Sequence, residues 1–209
     1  MRIIVATITI MISCEFVAAD YEPTSLPQLI VESDLIVQGE IVDLDSASFN
    51  VKITEIIKGE VSEKILHVNR FEDWTCSSRT PDYQIGQKEI IFLTHQSQSD
   101  KWMPMGAANE GEFQVENDSI VYQDIFYDTN SGCTDIYQYG YNICGWVYSL
   151  SDFKSGIRFY ISEFPQIEDE CRTENVIQNR HENNPVYCRI VYESVDYFSN
   201  KFMMERIKK

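Results

Sequence analysis

The sequence predicts an α+β chain, mainly β, with a short N-terminal helix, a series of strands and two C-terminal helices. Three observations carry this. Leu26, Leu29 and Ile30 fall on one face of a single helical segment ahead of everything else. From Asp34 to Leu150, β-branched and aromatic residues come in short runs divided by polar turns. After Leu150 the apolar spacing changes to i, i+4, i+7, i+8, the period of a helix.

Before the first helix lies a leader. Met1-Arg2 is a basic start, Ile3 to Ile12 an apolar core, and Val17-Ala18-Ala19 a small-residue site before Asp20. That is the pattern of a secretory signal, with cleavage after Ala19. Ten residues, eight of them apolar, are too few for a bilayer core of about 30 Å. Met11-Ile12-Ser13-Cys14 is an imperfect bacterial lipobox, which makes Cys14 the alternative first residue, lipidated. The chain therefore divides into residues 1–19 as signal, 20–126 as a β-rich region, and 127–209 as an extension.

Leu26 to Ser33 reads as a helix capped by Thr24 or Ser25, with Pro27 in the first turn, where its missing N–H costs nothing. Asp34 to Val42 is a strand, and Asp45 to Ser48 a polar turn. Phe49 to Ile57 alternates, with a slip at Ile56-Ile57 that marks a bulge. Lys58-Gly59-Glu60 ends it, and Lys64 to Asn69 is a third strand. Lys88 to Thr94 is nearly continuous in apolar residues, the signature of a central strand. Glu112 to Val115 and Ser119 to Phe126 form a hairpin around Asn117-Asp118. Asp128 to Gly140 is a polar loop, and Gly145 to Leu150 a last short strand.

Ser151 caps the first C-terminal helix, with Asp152 beside the positive end of its dipole. Phe153, Ile157, Tyr160, Ile161 and Phe164 form its apolar face, and Pro165 ends it. Gly156 costs it up to about 1 kcal/mol relative to Ala. The last helix runs from about Pro185 to Lys208, with Val191, Val195, Phe198 and Phe202 as its buried stripe.

Charge narrows the partners. With 17 Lys and Arg against 33 Asp and Glu, the formal charge is −16. Such a chain has no electrostatic footprint for nucleic acid or an anionic membrane. Of six cysteines, cleavage after Ala19 leaves five. Export permits disulfides, and nearness in sequence suggests Cys133–Cys144 and Cys171–Cys188, with Cys76 a free or reactive thiol. No CxxC or HExxH is present, so no metal and no cofactor are expected.

With SDLIVQGEIV at Ser33 to Val42, ITEIIKG at Ile53 to Gly59, a cysteine at Cys76 and GQKEIIFL at Gly86 to Leu93, residues Glu32 to Thr94 resemble the netrin-like domain of tissue inhibitors of metalloproteinases. Ser33 to Val42 (SDLIVQGEIV) is similar to that family's first barrel strand. Ile53 to Gly59 (ITEIIKG) is similar to its second, with the same Lys-Gly turn. Gly86 to Leu93 (GQKEIIFL) is similar to its Gly-Lys-Lys-Glu strand, and Cys76 falls where the family has a cysteine after the third strand. The resemblance implies an OB-like (netrin-like) β-barrel. The family inhibits by placing an N-terminal Cys-x-Cys on the protease zinc. Here a mature start at Asp20 has no cysteine, and Glu15-Phe16 follow Cys14, so the second cysteine of that motif is missing.

The expectation is an exported, non-catalytic binding or inhibitor-like module whose ligand is an unknown protein or peptide, touching a membrane only through a lipid on Cys14. One alternative is a lipid-anchored envelope protein with a structural role. The other is a hydrolase using Cys76 with His67 or His95 as a nucleophile pair.

Overall fold

The computed structural model describes residues 23–73, 78–97, 101–123, 134–138, 141–173 and 181–207. Helix α1 (Leu26–Glu32) precedes strands β1 (Leu35–Leu44), β2 (Ser48–Lys58), β3 (Ile65–Asn69), β4 (Lys88–Gln96) and β5 (Lys101–Pro104). These five strands hydrogen-bond in the order β1-β2-β3-β5-β4, and β4 pairs back onto β1. All contacts are antiparallel except β3–β5, which is parallel at Val68 and Trp102. This is an OB-like barrel: closure leaves no long free edge.

Alternation decides which side chains fill it. Leu35, Val37, Ile41, Phe49, Val51, Leu66, Val68, Ile91 and Leu93 point inward and are buried together. The expected bulge is present. Ile36 pairs with Lys58 and Val37 with Ile56, so Ile57 is the extra residue. It is buried, whereas Ile56 faces out. β4 is the central strand, pairing with β1, β5 and β6.

Lys58-Gly59 has a local purpose. Gly59 turns the chain with φ +82°, and a Cβ there would run into the Asp34 carbonyl. Lys58 Nζ donates to the carbonyls of Ile30 (2.6 Å), Val31 (2.9 Å) and Ser33 (2.6 Å), neutralising the C-terminal end of α1.

A second sheet grows from β4 through β6 (Glu112–Glu116), β7 (Ser119–Gln123), β9 (Tyr141–Ser149) and β8 (Thr134–Gln138). Asn117 and Asp118 both have positive φ, 49° and 56°, as a tight two-residue hairpin turn requires. The polar segment expected as a loop from Asp128 to Gly140 contains β8, whose Ile136 is in register with Ile143 of β9.

Helices α2 (Leu150–Arg172) and α3 (Pro185–Ile207) cover the apolar outer side of β1 and β4. Ile36, Ile90 and Phe92 there share one core with α1, Phe153, Ile157, Tyr160, Ile190 and Phe198. Ser149, not Ser151, caps α2, accepting the Asp152 N–H at 3.0 Å. Pro165 lies inside α2 rather than ending it. The bond lost at the proline is offset further on, where Ile167 is fully buried and Glu168 binds Lys201 at 3.2 Å. Val195, expected in the buried stripe of α3, is 49% exposed; Val186, Tyr187, Ile190 and Ser194 are buried instead.

The two helices run parallel. Asn184 bonds Asp152 and Ser155, Ser194 bonds Tyr160, Lys201 bonds Glu168, and Arg172 faces Glu205. This corrects the expected Cys171–Cys188 disulfide: neither cysteine is in a disulfide. Cys188 sits in the first turn of α3 and Cys171 in the last turn of α2. In parallel helices those levels differ by roughly 15 residues, or about 22 Å at 1.5 Å each. A disulfide needs Cα atoms within about 7 Å.

Candidate functional site

Two features of the barrel are chemically distinctive. The first is the outer face of β1, β2 and β3, the surface through which barrels of this topology bind. Asn50 Nδ2 donates to Asp43 Oδ2 at 3.1 Å, and its Oδ1 meets His67 Nδ1 at 3.1 Å, giving a polar row across three strands. Lys52 lies between Glu40 and Ile65 in the next row. Ile65 and Val42 are exposed, so the face mixes apolar and polar groups. At its end, Asp45 accepts the N–H groups of Ala47 and Ser48 at 2.7 Å each. Those bonds, the Ala47 N–H foremost, hold its carboxyl below the usual range and fix the β1–β2 turn.

The second feature is inside one end of the barrel. Glu89 has the same phase along β4 as the inward-facing Ile91 and Leu93. Glu112 is paired with Ile91, so it points to the same side. The β3–β4 connection closes this end with Tyr83, which packs on Phe49 at 4.7 Å, and with Arg79. The Arg79 guanidinium lies 3.8 Å over the Tyr83 ring and bonds both carboxylates, Glu89 and, through Nε at 3.3 Å, Glu112. Gln87 Nε2 donates to Glu89 at 2.8 Å and Tyr83 Oη to Glu112 at 2.9 Å. Burial pushes both carboxyls up, Glu112 to about 8, and the nearby Glu89 charge adds to that. Glu89 Oε2 and Glu112 Oε1 are buried without a hydrogen-bond partner among the described residues.

A third buried carboxylate joins the two ends of the chain. Glu193 of α3 accepts the Leu26 N–H (3.3 Å), the Tyr122 hydroxyl (2.9 Å) and Arg189 Nε (2.6 Å). The first N–H of α1 is thus capped by α3; Ser25, at the N-cap position, makes no side-chain cap bond.

Of the residues singled out from sequence, Cys14, Cys76 and Cys133 lie outside the described residues. Cys144, on β9, is disulfide-bonded. Cys171 and Cys188 are thiols, and Cys188 Sγ faces the Glu182 carbonyl at 3.6 Å. His67 is bonded to Asn50, and His95 stands edge-on to Trp102 at 4.9 Å between ring centroids. His181 stacks on Phe159 and meets Glu163 at 2.9 Å. Among the described residues no group of three or more His, Cys, Asp or Glu is placed to hold a metal ion, and no helix is long and apolar enough to cross a membrane.

The buried carboxylates were not anticipated. The signal for Glu89 was present: in Lys88-Glu89-Ile90-Ile91-Phe92-Leu93 it has the inward phase of Ile91 and Leu93. Arg79, Tyr83 and Glu112 carry no such signal, because their proximity is created only by the fold. Compared with models of known protein families and with curated proteins, the sequence matches none.

Proposed function

We propose that the chain is an exported, non-catalytic binding module of netrin-like type, presenting its barrel to a protein or peptide partner in an inhibitor-like manner. The strand order β1-β2-β3-β5-β4 with a parallel β3–β5 contact is the observation that carries this reading. It is the framework the sequence resemblance implies, and it leaves a mixed polar and apolar face on β1–β3 open for contact. A charge of −16 favours a neutral or basic partner over nucleic acid.

The chain's entry point supports the inhibitor-like part. Thr24 N–H donates to Glu110 at 3.1 Å, and Thr80 N–H to the neighbouring Asn109 at 2.9 Å. The N-terminal stretch and the β3–β4 connection therefore meet at one turn. Cys14 precedes Thr24 by ten residues and Cys76 precedes Thr80 by four. Ten extended residues reach at most about 36 Å, so chain length permits a Cys14–Cys76 bond.

The test is the intact mass of the secreted full chain, with and without reduction, together with inhibition of a zinc metalloproteinase catalytic domain acting on a peptide substrate. A start at Cys14 bonded to Cys76, with inhibition lost on acetylating the terminal amine, supports the inhibitor reading. A start at Asp20 without inhibition removes it and leaves the barrel face, to be tested by substituting Ile65 and His67 in partner capture. A lipid on Cys14 replaces the soluble module with a tethered one.

A further inference from the structure

Two carboxyl groups share one guanidinium inside the barrel end, and all three are withdrawn from water. With both carboxylates ionised, the cluster is a buried net negative charge. With one proton it is neutral. The geometry favours the neutral form, since each carboxyl leaves one buried oxygen with no donor. A bare carboxylate oxygen in that position is costly, and protonation reduces the charge it carries.

The groups facing this pair are few. The connection supplies Arg79 and Tyr83, with Arg70 4.8 Å behind the Tyr83 ring and Asp73 bonded to the Arg79 N–H. β4 supplies Glu89, and the connection ends on Gln87; β6 supplies Glu112 and the neutral Gln114. β1 places Gly39 opposite Glu89, and β2 contributes Phe49 against Tyr83. Among the described residues, Arg79 is the one cation bonded to the two carboxyls. It belongs to the connection, whereas both carboxyls belong to the barrel.

We propose that this cluster is a proton-dependent latch: it holds residues 78–87 onto the barrel end while it carries one proton, and weakens as that proton is lost. Opening lets water reach both carboxyls and returns them towards their ordinary titration range. The closed form holds a proton up to about pH 8, whereas a hydrated Glu releases it near 4.5. Between those limits closure binds one more proton than opening, so the opening constant rises about tenfold per pH unit and flattens above pH 8. The latch is tightest in acid.

The test is hydrogen exchange of the full-length chain, read by mass spectrometry from pH 5 to 9 and corrected for intrinsic exchange. Peptides covering residues 78–87 are expected to lose protection about tenfold per pH unit up to pH 8, while peptides of β2 and β3 do not. Glu112→Gln mimics the protonated carboxyl, so protection of 78–87 becomes flat with pH. If that variant does not fold, Glu89→Gln is expected to flatten the profile for the same reason. Unchanged protection in the wild type, loss shared equally by every strand, or a substituted chain with the wild-type slope would each overturn the latch.

Discussion

Replacing Gly156 with Ala sets two physical effects of opposite sign against each other. Gly156 is a helix-interior glycine, and Ala there raises helix propensity by up to about 1 kcal/mol. In the structure it sits where α2 touches the start of α3. A Cβ would lie 2.8 Å from Asn184 Oδ1, 2.8 Å from Val186 Cβ and 2.9 Å from the Tyr187 backbone nitrogen. Two of these atoms belong to a tight helix end, so the helices must separate. Forcing a methyl into a packed interior costs about 1–3 kcal/mol. Moving Asn184 also weakens its 2.8 Å cap on the Tyr187 N–H, a bond of a type worth about 1 kcal/mol. The sum is a loss of about 2 kcal/mol. With a urea slope of about 2 kcal/mol per molar, the midpoint falls by about 1 M. Urea unfolding with the slope held equal measures it. A midpoint that rises would refute the close approach of the helices, because propensity alone would then decide.

Other perturbations follow from single contacts. Glu193→Ala strands Arg189, the Tyr122 hydroxyl and the Leu26 N–H together, and is expected to cost about 3–5 kcal/mol by thermal or urea unfolding. Lys58→Met leaves three carbonyls at the end of α1 without their shared donor; a loss of about 1–3 kcal/mol and faster amide exchange in α1 are expected. Alkylation of the folded, unreduced chain is expected to mark Cys171 and Cys188 separately, with neither becoming more reactive when the other is changed to Ser. Lys154 and Arg158 hold Glu55 below the usual carboxylate range, so this contribution is present above pH 4.5 and lost as pH falls further. Glu55→Gln should therefore flatten that acid limb of a stability-versus-pH curve.

What could be read along the chain was whatever a strand or turn writes into its own neighbours. The Ile56-Ile57 slip became the bulge, the Lys88–Thr94 run became the central strand, and Asn117-Asp118 became the hairpin turn. Contacts made across the fold were not legible. Pro165 ends a helix on local grounds, but Ile167 and the Glu168–Lys201 pair hold the next turns in place. Cys171 and Cys188 are near in sequence, yet parallel packing of α2 and α3 puts them at opposite ends. The Arg79–Glu89–Glu112 cluster draws on three separate segments, and only the phase of Glu89 hinted at it.

The shared core beneath α1, α2 and α3 sets an order on synthesis. Ile36, Ile90 and Phe92 leave the ribosome well before the side chains that cover them, Val186, Ile190 and Phe198 among them. The barrel interior fills from residues 35–93 and β5 completes the ring at Pro104, so that half of the molecule can close while α2 and α3 are still to be translated. Its outer apolar flank stays bare until α3 arrives. A chain ending near residue 126 would keep that flank exposed for good, a surface prone to association. The nascent protein thus needs shielding on that flank until α3 has been made.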